Sequence, residues 1–420
     1  MSTQQVSPAQ LNQIARAAIR ARAVKMTQQI FSNTYSAASG NISQVQPNVI
    51  VNPRNVGLIL GFWVKVVATI TNGSGVTING SDFGPSNVFS QIQFTDLNNN
   101  IRIQTTGWHL NVLNSIKARR PFGSTLYSSY QPLIPSSENA ILSGEGASVT
   151  GGTLPYGMSY GSNFAGNISA PSSIAGNGGT GTVTMWYWVP LAYSDHDYRG
   201  AVYANVVNAT MQLQFAFNPV PVVANGTDAT QAMYFGASVG SVASAVISSA
   251  TVTVYQTYLD QLPVGAGGVL LPLLDLATIY EMKQTQLSAI NAGQDFPYQY
   301  ANFRDFISTT AIYVNNGITG KKGDGTDINY WALQSANFTN LWKKEPGLIS
   351  LETRNHLQFD LPPGTYYFGS REKPISTTQY GNMELILNPV TAGTGAYLLI
   401  GTEDFALVQT LSMAGSLAAS

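Results

Sequence analysis

Residues 58–70, LILGFWVKVVATI, put an apolar side chain at every even position, while Gly61, Lys65 and Thr69 fall on the other face. Such strict period-two alternation predicts an antiparallel strand with one face buried. The pattern returns in TVTMWYWV (182–189), where Val183, Met185, Tyr187 and Val189 share a face, and in TMQLQFAF (210–217), with Met211, Leu213, Phe215 and Phe217. HLQFDL (356–361) reads the same way, with Leu357, Phe359 and Leu361 inward and His356, Gln358 and Asp360 outward. Turn-forming pairs lie between such runs: Asn72-Gly73, Asn79-Gly80, Asn225-Gly226, Asn316-Gly317 and Pro363-Gly364. Short strands, Asn/Gly turns and no regular series of helices predict an all-β sandwich or jelly-roll architecture.

One stretch breaks the β pattern. Ser7 suits an N-cap, Pro8 the first helical position, and Gln10 completes a capping-box spacing. Nothing interrupts a helix from there to Gln29, so the spacing predicts one over 7–30, about 34 Å long. Leu11, Ile14, Ala18 and Ala21 make only a thin apolar stripe, and SNTYSAASGN (32–41) separates the helix from the body. It reads as an arm that needs a partner. Ser194 with Asp197 predicts the cap of a second, short helix running toward Ala204.

The chain divides most naturally at DQLPVGAGG (260–268), where a strand over 250–259 meets Pro263 and a run of glycines. The expected organisation is an arm at 1–44, a first domain at 45–262, a second at 263–405 and a tail at 406–420, both domains of ordinary size. MWYWVPLAYSDHDYRG…MQLQF and TYYFGSREKPISTTQYG…MELIL form a loose internal repeat. The glycine-rich stretch 122–180 reads as a long loop of the first domain.

Composition narrows the possible partners. The 420 residues carry 20 basic and 21 acidic side chains, so no overall field draws the body to nucleic acid, and near-neutrality suits dense self-association. With no cysteine, neither disulfides nor thiolate metal sites are available. No apolar run is long enough to cross a bilayer, and arginines interrupt any signal-peptide core. A protein made and used inside a cell is expected. Charge is nonetheless lopsided at the start: LNQIARAAIRARAVK (11–25) holds Arg16, Arg20, Arg22 and Lys25, and the first acid of the chain is Asp82.

Catalytic patterns are formal matches only. GMSYG (157–161) and GASVG (236–240) fit G-x-S-x-G, but neither Ser159 nor Ser238 precedes a helical sequence, as a nucleophile elbow requires. NNGITGKKGDGT has asparagine where a phosphate loop needs its first glycine, and Lys322 where it needs Ser or Thr. DHD (195–197) cannot converge three consecutive side chains on one ion. His109 reads as a hydrogen-bonded structural residue. No catalytic, metal-binding or cofactor-binding residue is assigned, and the aromatics read as core and interface packing.

GFWVKVVATITN, SDFGPSNV, TGWHLNVLN, MWYWVPLAYSDHDYRGAVYANV, TVYQTYLDQLPVG, LPLLDLATIY, QYANF, GTDINY and EKPISTTQYGNMELILNP follow one another from about residue 56 to 390. In these blocks the chain resembles the double jelly-roll major capsid proteins of tectiviruses, icosahedral phages with an internal membrane. The resemblance implies two adjacent eight-stranded antiparallel jelly rolls meeting at LPVG (262–265), and a homotrimer of pseudo-hexagonal outline that tiles the shell. It implies no catalysis, no cofactor and no sequence-specific nucleic-acid binding. Expected partners are the chain itself, internal membrane lipids, and minor capsid and vertex proteins. The expected location is the virion capsid, after synthesis in the bacterial cytoplasm. Arg16, Arg20, Arg22 and Lys25 would either lie near anionic lipid headgroups, each worth about 1 kcal/mol, or clasp neighbouring trimers. Other classes are a carbohydrate-binding β-sandwich, marked by an exposed aromatic cluster, and a serine hydrolase working through Ser159 or Ser238.

Overall fold

The computed structural model describes residues 7–118, 153–154, 158–159, 170–204, 210–263, 273–336, 338–357, 361, 364–369 and 374–407. Among the described residues sixteen strands build the body, leaving two- and three-residue strands unnumbered. The first eight are β1 (Val24–Ser36), β2 (Asn48–Val51), β3 (Leu58–Asn72), β4 (Phe89–Thr95), β5 (Ile101–Thr105), β6 (Gly179–Pro190), β7 (Gln212–Phe217) and β8 (Ala245–Asp260). The second eight are β9 (Thr278–Ser288), β10 (Phe296–Gln299), β11 (Arg304–Asn316), β12 (Ile328–Ser335), β13 (Phe338–Lys344), β14 (Thr365–Gly369), β15 (Met383–Pro389) and β16 (Tyr397–Leu407).

The first set forms two antiparallel sheets, ordered β1-β8-β3-β6 and β2-β7-β4-β5. The second set repeats both orders, as β9-β16-β11-β14 and β10-β15-β12-β13. Each set is a jelly roll, and the chain is a double jelly roll. In β3, Phe62, Val64, Val66, Ala68 and Ile70 are all fully buried, and in β6 Val183, Met185, Tyr187 and Val189 join them. Period-two alternation thus becomes the inner face of the first sandwich.

The two rolls share more than a linker. β5 lies parallel to β9, with Ile103 opposite Met282 and Gln104 opposite Lys283. One sheet therefore runs from the first roll into the second. Both rolls also place a twelve-residue helix one residue after the equivalent strand: α2 (Gly107–Ala118) after β5, and α3 (Pro346–Leu357) after β13.

Three sequence expectations change. The helix read over 7–30 ends at Arg22 as α1 (Pro8–Arg22), and 24–36 becomes β1, the first strand of the first roll. Gln28 and Gln29 suit a helix, but the edge of β8 offers register from Asp260 to Ser249, and tertiary pairing overrides weak propensity. Residues 24–36 thus belong to a sheet of the first roll. HLQFDL is not a strand in its first part: His356 and Leu357 close α3, where Leu357 is buried, and 358–360 lie outside the described residues. Ser194 does accept from the amides of His196 and Asp197, yet no helix follows: bends and a turn lead to the two-residue strand Val202–Tyr203, which pairs with β3, and Asp197 is engaged by Arg199 and Arg16. Most of 122–180 falls outside the described residues, but Ser173–Ile174 pairs with Ile78–Gly80 and Gly179 already begins β6.

Candidate functional site

The N-terminal segment is docked on its own chain. Ser7 and Gln10 form a reciprocal capping box that starts α1. Two turns on, Ala15 and Ile19 are buried against Leu58, Leu60, Ala192, Tyr198, Ala201, Leu259 and Leu273. Arg16 reaches from the same face into a carboxylate cradle. Its Nε donates to Asp275 at 2.7 Å, and its Nη2 donates to Asp275 and Asp197, both at 2.8 Å. Asp275 is buried and accepts also from Asn12 and from the Tyr198 amide. The hydrogen bond to Asp275 holds the Arg16 guanidinium above its ordinary pKa. Burial alone would raise the Asp197 carboxyl, but Arg199 and then Arg16 hold it below the usual range.

The remaining basic residues divide. Arg20 donates to the carbonyl of His196 at 2.8 Å, and Lys25 meets both oxygens of Asp195 at 2.9 Å in an exposed pair. Arg22 is exposed. The DHD segment, weighed above as a metal site, is therefore the landing place of the basic N-terminus, and among the described residues no cluster has metal-binding geometry. Asp275 is the site residue that sequence reading overlooked. Its only signal was an acid standing inside the apolar run LPLLDLATIY.

A second charged site lies where the rolls meet. Lys117 of α2 donates to the Tyr280 hydroxyl at 2.7 Å and pairs with Glu403 of β16 at 2.5 Å. Glu403 also accepts from Tyr280 and from Ser308, the latter at 2.8 Å. Burial pushes this carboxyl up, and Lys117 with the two hydroxyls outweighs it, leaving it below the ordinary range. Next to it, burial raises Asp404 to about 7, with Arg304 opposing and Glu281 adding to the rise. His109, wholly buried, binds Thr105 through Nδ1 at 2.6 Å, and burial lowers it to about 3 against the pull of Glu403. The Arg199 guanidinium stacks on Phe405 at 4.1 Å, carrying the contact toward α1.

The formal catalytic matches do not assemble. Ser238 stands on an exposed turn leading into β8 rather than a helix, and Ser159 sits in the two-residue strand Met158–Ser159, beyond which 160–169 lie outside the described residues. Lys321 and Lys322 of the loop that imitates a phosphate site pair with Asp327 and Asp82.

The comparisons agree with this architecture. Models of the P3 major capsid protein N-terminal and C-terminal regions match residues 3–156 with 153–262, and residues 277–419. Major capsid protein P3 of Enterobacteria phage PRD1 is 37% identical over 428 aligned positions, which cover 99% of this chain and 98% of that protein. The major capsid protein of Sulfolobus turreted icosahedral virus matches with a TM-score of 0.59 at 12% identity, over 94% of this chain and 100% of that one. The PBCV-1 virus capsid protein matches with a TM-score of 0.50 at 10% identity, over 91% and 94%. At such identities the two structures speak for the fold alone. The sequence match over nearly the whole length goes further: this chain belongs to the P3 major capsid protein family.

Proposed function

We propose that three copies close head to tail into a pseudo-hexagonal trimer, and that these trimers tile the shell of an icosahedral phage over an internal lipid membrane. Two like rolls per chain, divided near 262–265, would give six barrels around a three-fold axis, with closure by heterologous contacts. The observation that carries this reading is the parallel β5–β9 pair, which fixes the rolls side by side in one continuous sheet. The subunit acts structurally, without a catalytic step, and its partners are its own copies, minor capsid and vertex proteins, and lipid. Arg22, flanked by Arg20 and Lys25, is the group offered to anionic headgroups, while Arg16 is committed to Asp275. Synthesis in the bacterial cytoplasm precedes assembly.

Native mass spectrometry tests the assembly. A species of three 44.9-kDa chains is expected, and a stable monomer at micromolar concentration would end the reading. For the lipid contact, R20E/R22E should lower flotation with anionic liposomes while leaving the trimer intact.

A further inference from the structure

Two strands in corresponding places start from the same backbone kink, and only one of them starts from glycine. β3 and β11 stand third in the equivalent sheets of the two rolls. Gly57 immediately precedes β3 with φ 57°, and Phe303 immediately precedes β11 with φ 59°. Glycine takes this left-handed backbone at no steric cost, whereas a bulky L-residue is strained in it. The other non-glycine residues at positive φ among the described ones are Asn99, Asn177, Gln261 and Ala289, none of them aromatic. Gly57 has to be glycine, because a Cβ there would lie 2.2 Å from the Leu259 carbonyl oxygen. Its kink is also roofed, since Leu58 and Leu259 pack with Ala15 and Ile19 of α1. Phe303 has no such cover and is 73% exposed. Its ring therefore gains little burial within the chain to offset the strain, and strain of this kind marks a side chain whose placement is used.

Both kinks stand at the α1 end of the molecule. Arg304, next to Phe303, lies opposite Ala406, and Ala406 lies opposite Ile279, the second residue of β9. Phe303 is thus two strand spacings, about 10 Å, from the start of β9. The turn Leu274–Ala277 that leads into β9 carries Asp275, the acid that holds Arg16 of α1. At this end α1 also leaves Leu11, Ile14 and Arg22 exposed. Exposed apolar side chains among basic ones make up a surface suited to a bilayer interface. Resting on the lipid contact put forward above, we propose that Phe303 inserts into that interface, giving the second roll a lipid anchor of its own beside the one that α1 gives the first. The occupant is the headgroup and upper acyl region of the bilayer. The φ of 59° already holds the ring out from the strand, so insertion needs no rearrangement of the roll. Its contribution is apolar and survives salt, whereas that of Arg22 is electrostatic and is screened.

Flotation with phosphatidylcholine vesicles containing phosphatidylglycerol separates the two contributions. At about 1 M salt, where the screening length falls to roughly 3 Å, the wild-type chain should keep part of its flotation. F303S and F303G should lose that remainder, and R20E/R22E should lose only the salt-sensitive part. F303G also reads the strain: glycine relieves the positive φ, so its melting temperature should equal or exceed that of the wild type. A wild-type chain that floats only at low salt, or variants at 303 that float as it does in high salt, would overturn the Phe303 anchor and leave the arginine contact standing. An F303G that melts well below the wild type would overturn it too, by showing that the ring packs within the chain. A wild-type chain that floats at no salt concentration would instead remove the lipid contact, and the anchor with it.

Discussion

The imidazole of His109 rests on the bare backbone of Gly401, first roll against second. The contact exists because position 401 has no side chain: a Cβ there would overlap the ring at Nε2, Cδ2 and Cε1. With Thr105 holding Nδ1, the ring cannot simply swing away.

Gly401→Ala should therefore lower the melting temperature, with a cost of about 1–3 kcal/mol for overpacking. Calorimetry on the single variant and on G401A/H109A checks the mechanism. The double variant should recover part of the loss, which a general strand defect would not.

Two buried groups in this junction pull stability in opposite directions with pH. His109 is neutral in the fold down to about 3, so below its ordinary value of 6.5 the unfolded chain takes up a proton that the folded one refuses. Its contribution is complete above 6.5 and falls by about 1.4 kcal/mol per pH unit on acidification. Asp404, raised to about 7, behaves the other way: its contribution is complete below 3.8 and is lost as pH climbs to 7. Melting temperatures from pH 5 to 8 should show H109N gaining on wild type at the acid end and D404N gaining at the alkaline end.

Lys117 neutralises a buried carboxylate, that of Glu403. Lys117→Met should cost about 3–5 kcal/mol, since it strands Glu403 as a buried charge. K117M/E403Q should recover most of that in denaturant titration. Because Glu403 is held below its ordinary pKa, the wild-type contribution is present above about 4.5 and is lost as pH falls further.

The N-terminal cradle should prove unequal. Arg16→Met leaves the buried Asp275 without its guanidinium and should cost about 1–3 kcal/mol, with faster tryptic cleavage after Arg20 and Arg22. Lys25→Ala removes an exposed pair and should change stability by less than about 0.5 kcal/mol. Equal protease sensitivity in the two variants would contradict the cradle.

Periodicity along the chain determined much by itself. The inward residues of β3, β6 and β7 were legible because alternation over a few residues is a local record of which face meets water. The Ser7–Gln10 capping box was legible for the same reason, since both partners lie within one helical turn. Tertiary structure decided the rest. Residues 24–36 became a strand because β8, more than two hundred positions away, left an edge to fill. Arg16 found its use in Asp275, 259 positions along the chain, and nothing near Arg16 announces that acid. His109 was readable as a structural residue, but its seat on Gly401 was not, because a glycine in a strand looks the same whether its missing side chain faces solvent or another roll. Local free energy sets which elements can form, and the edges and cavities that remain when distant segments pack set which of them do.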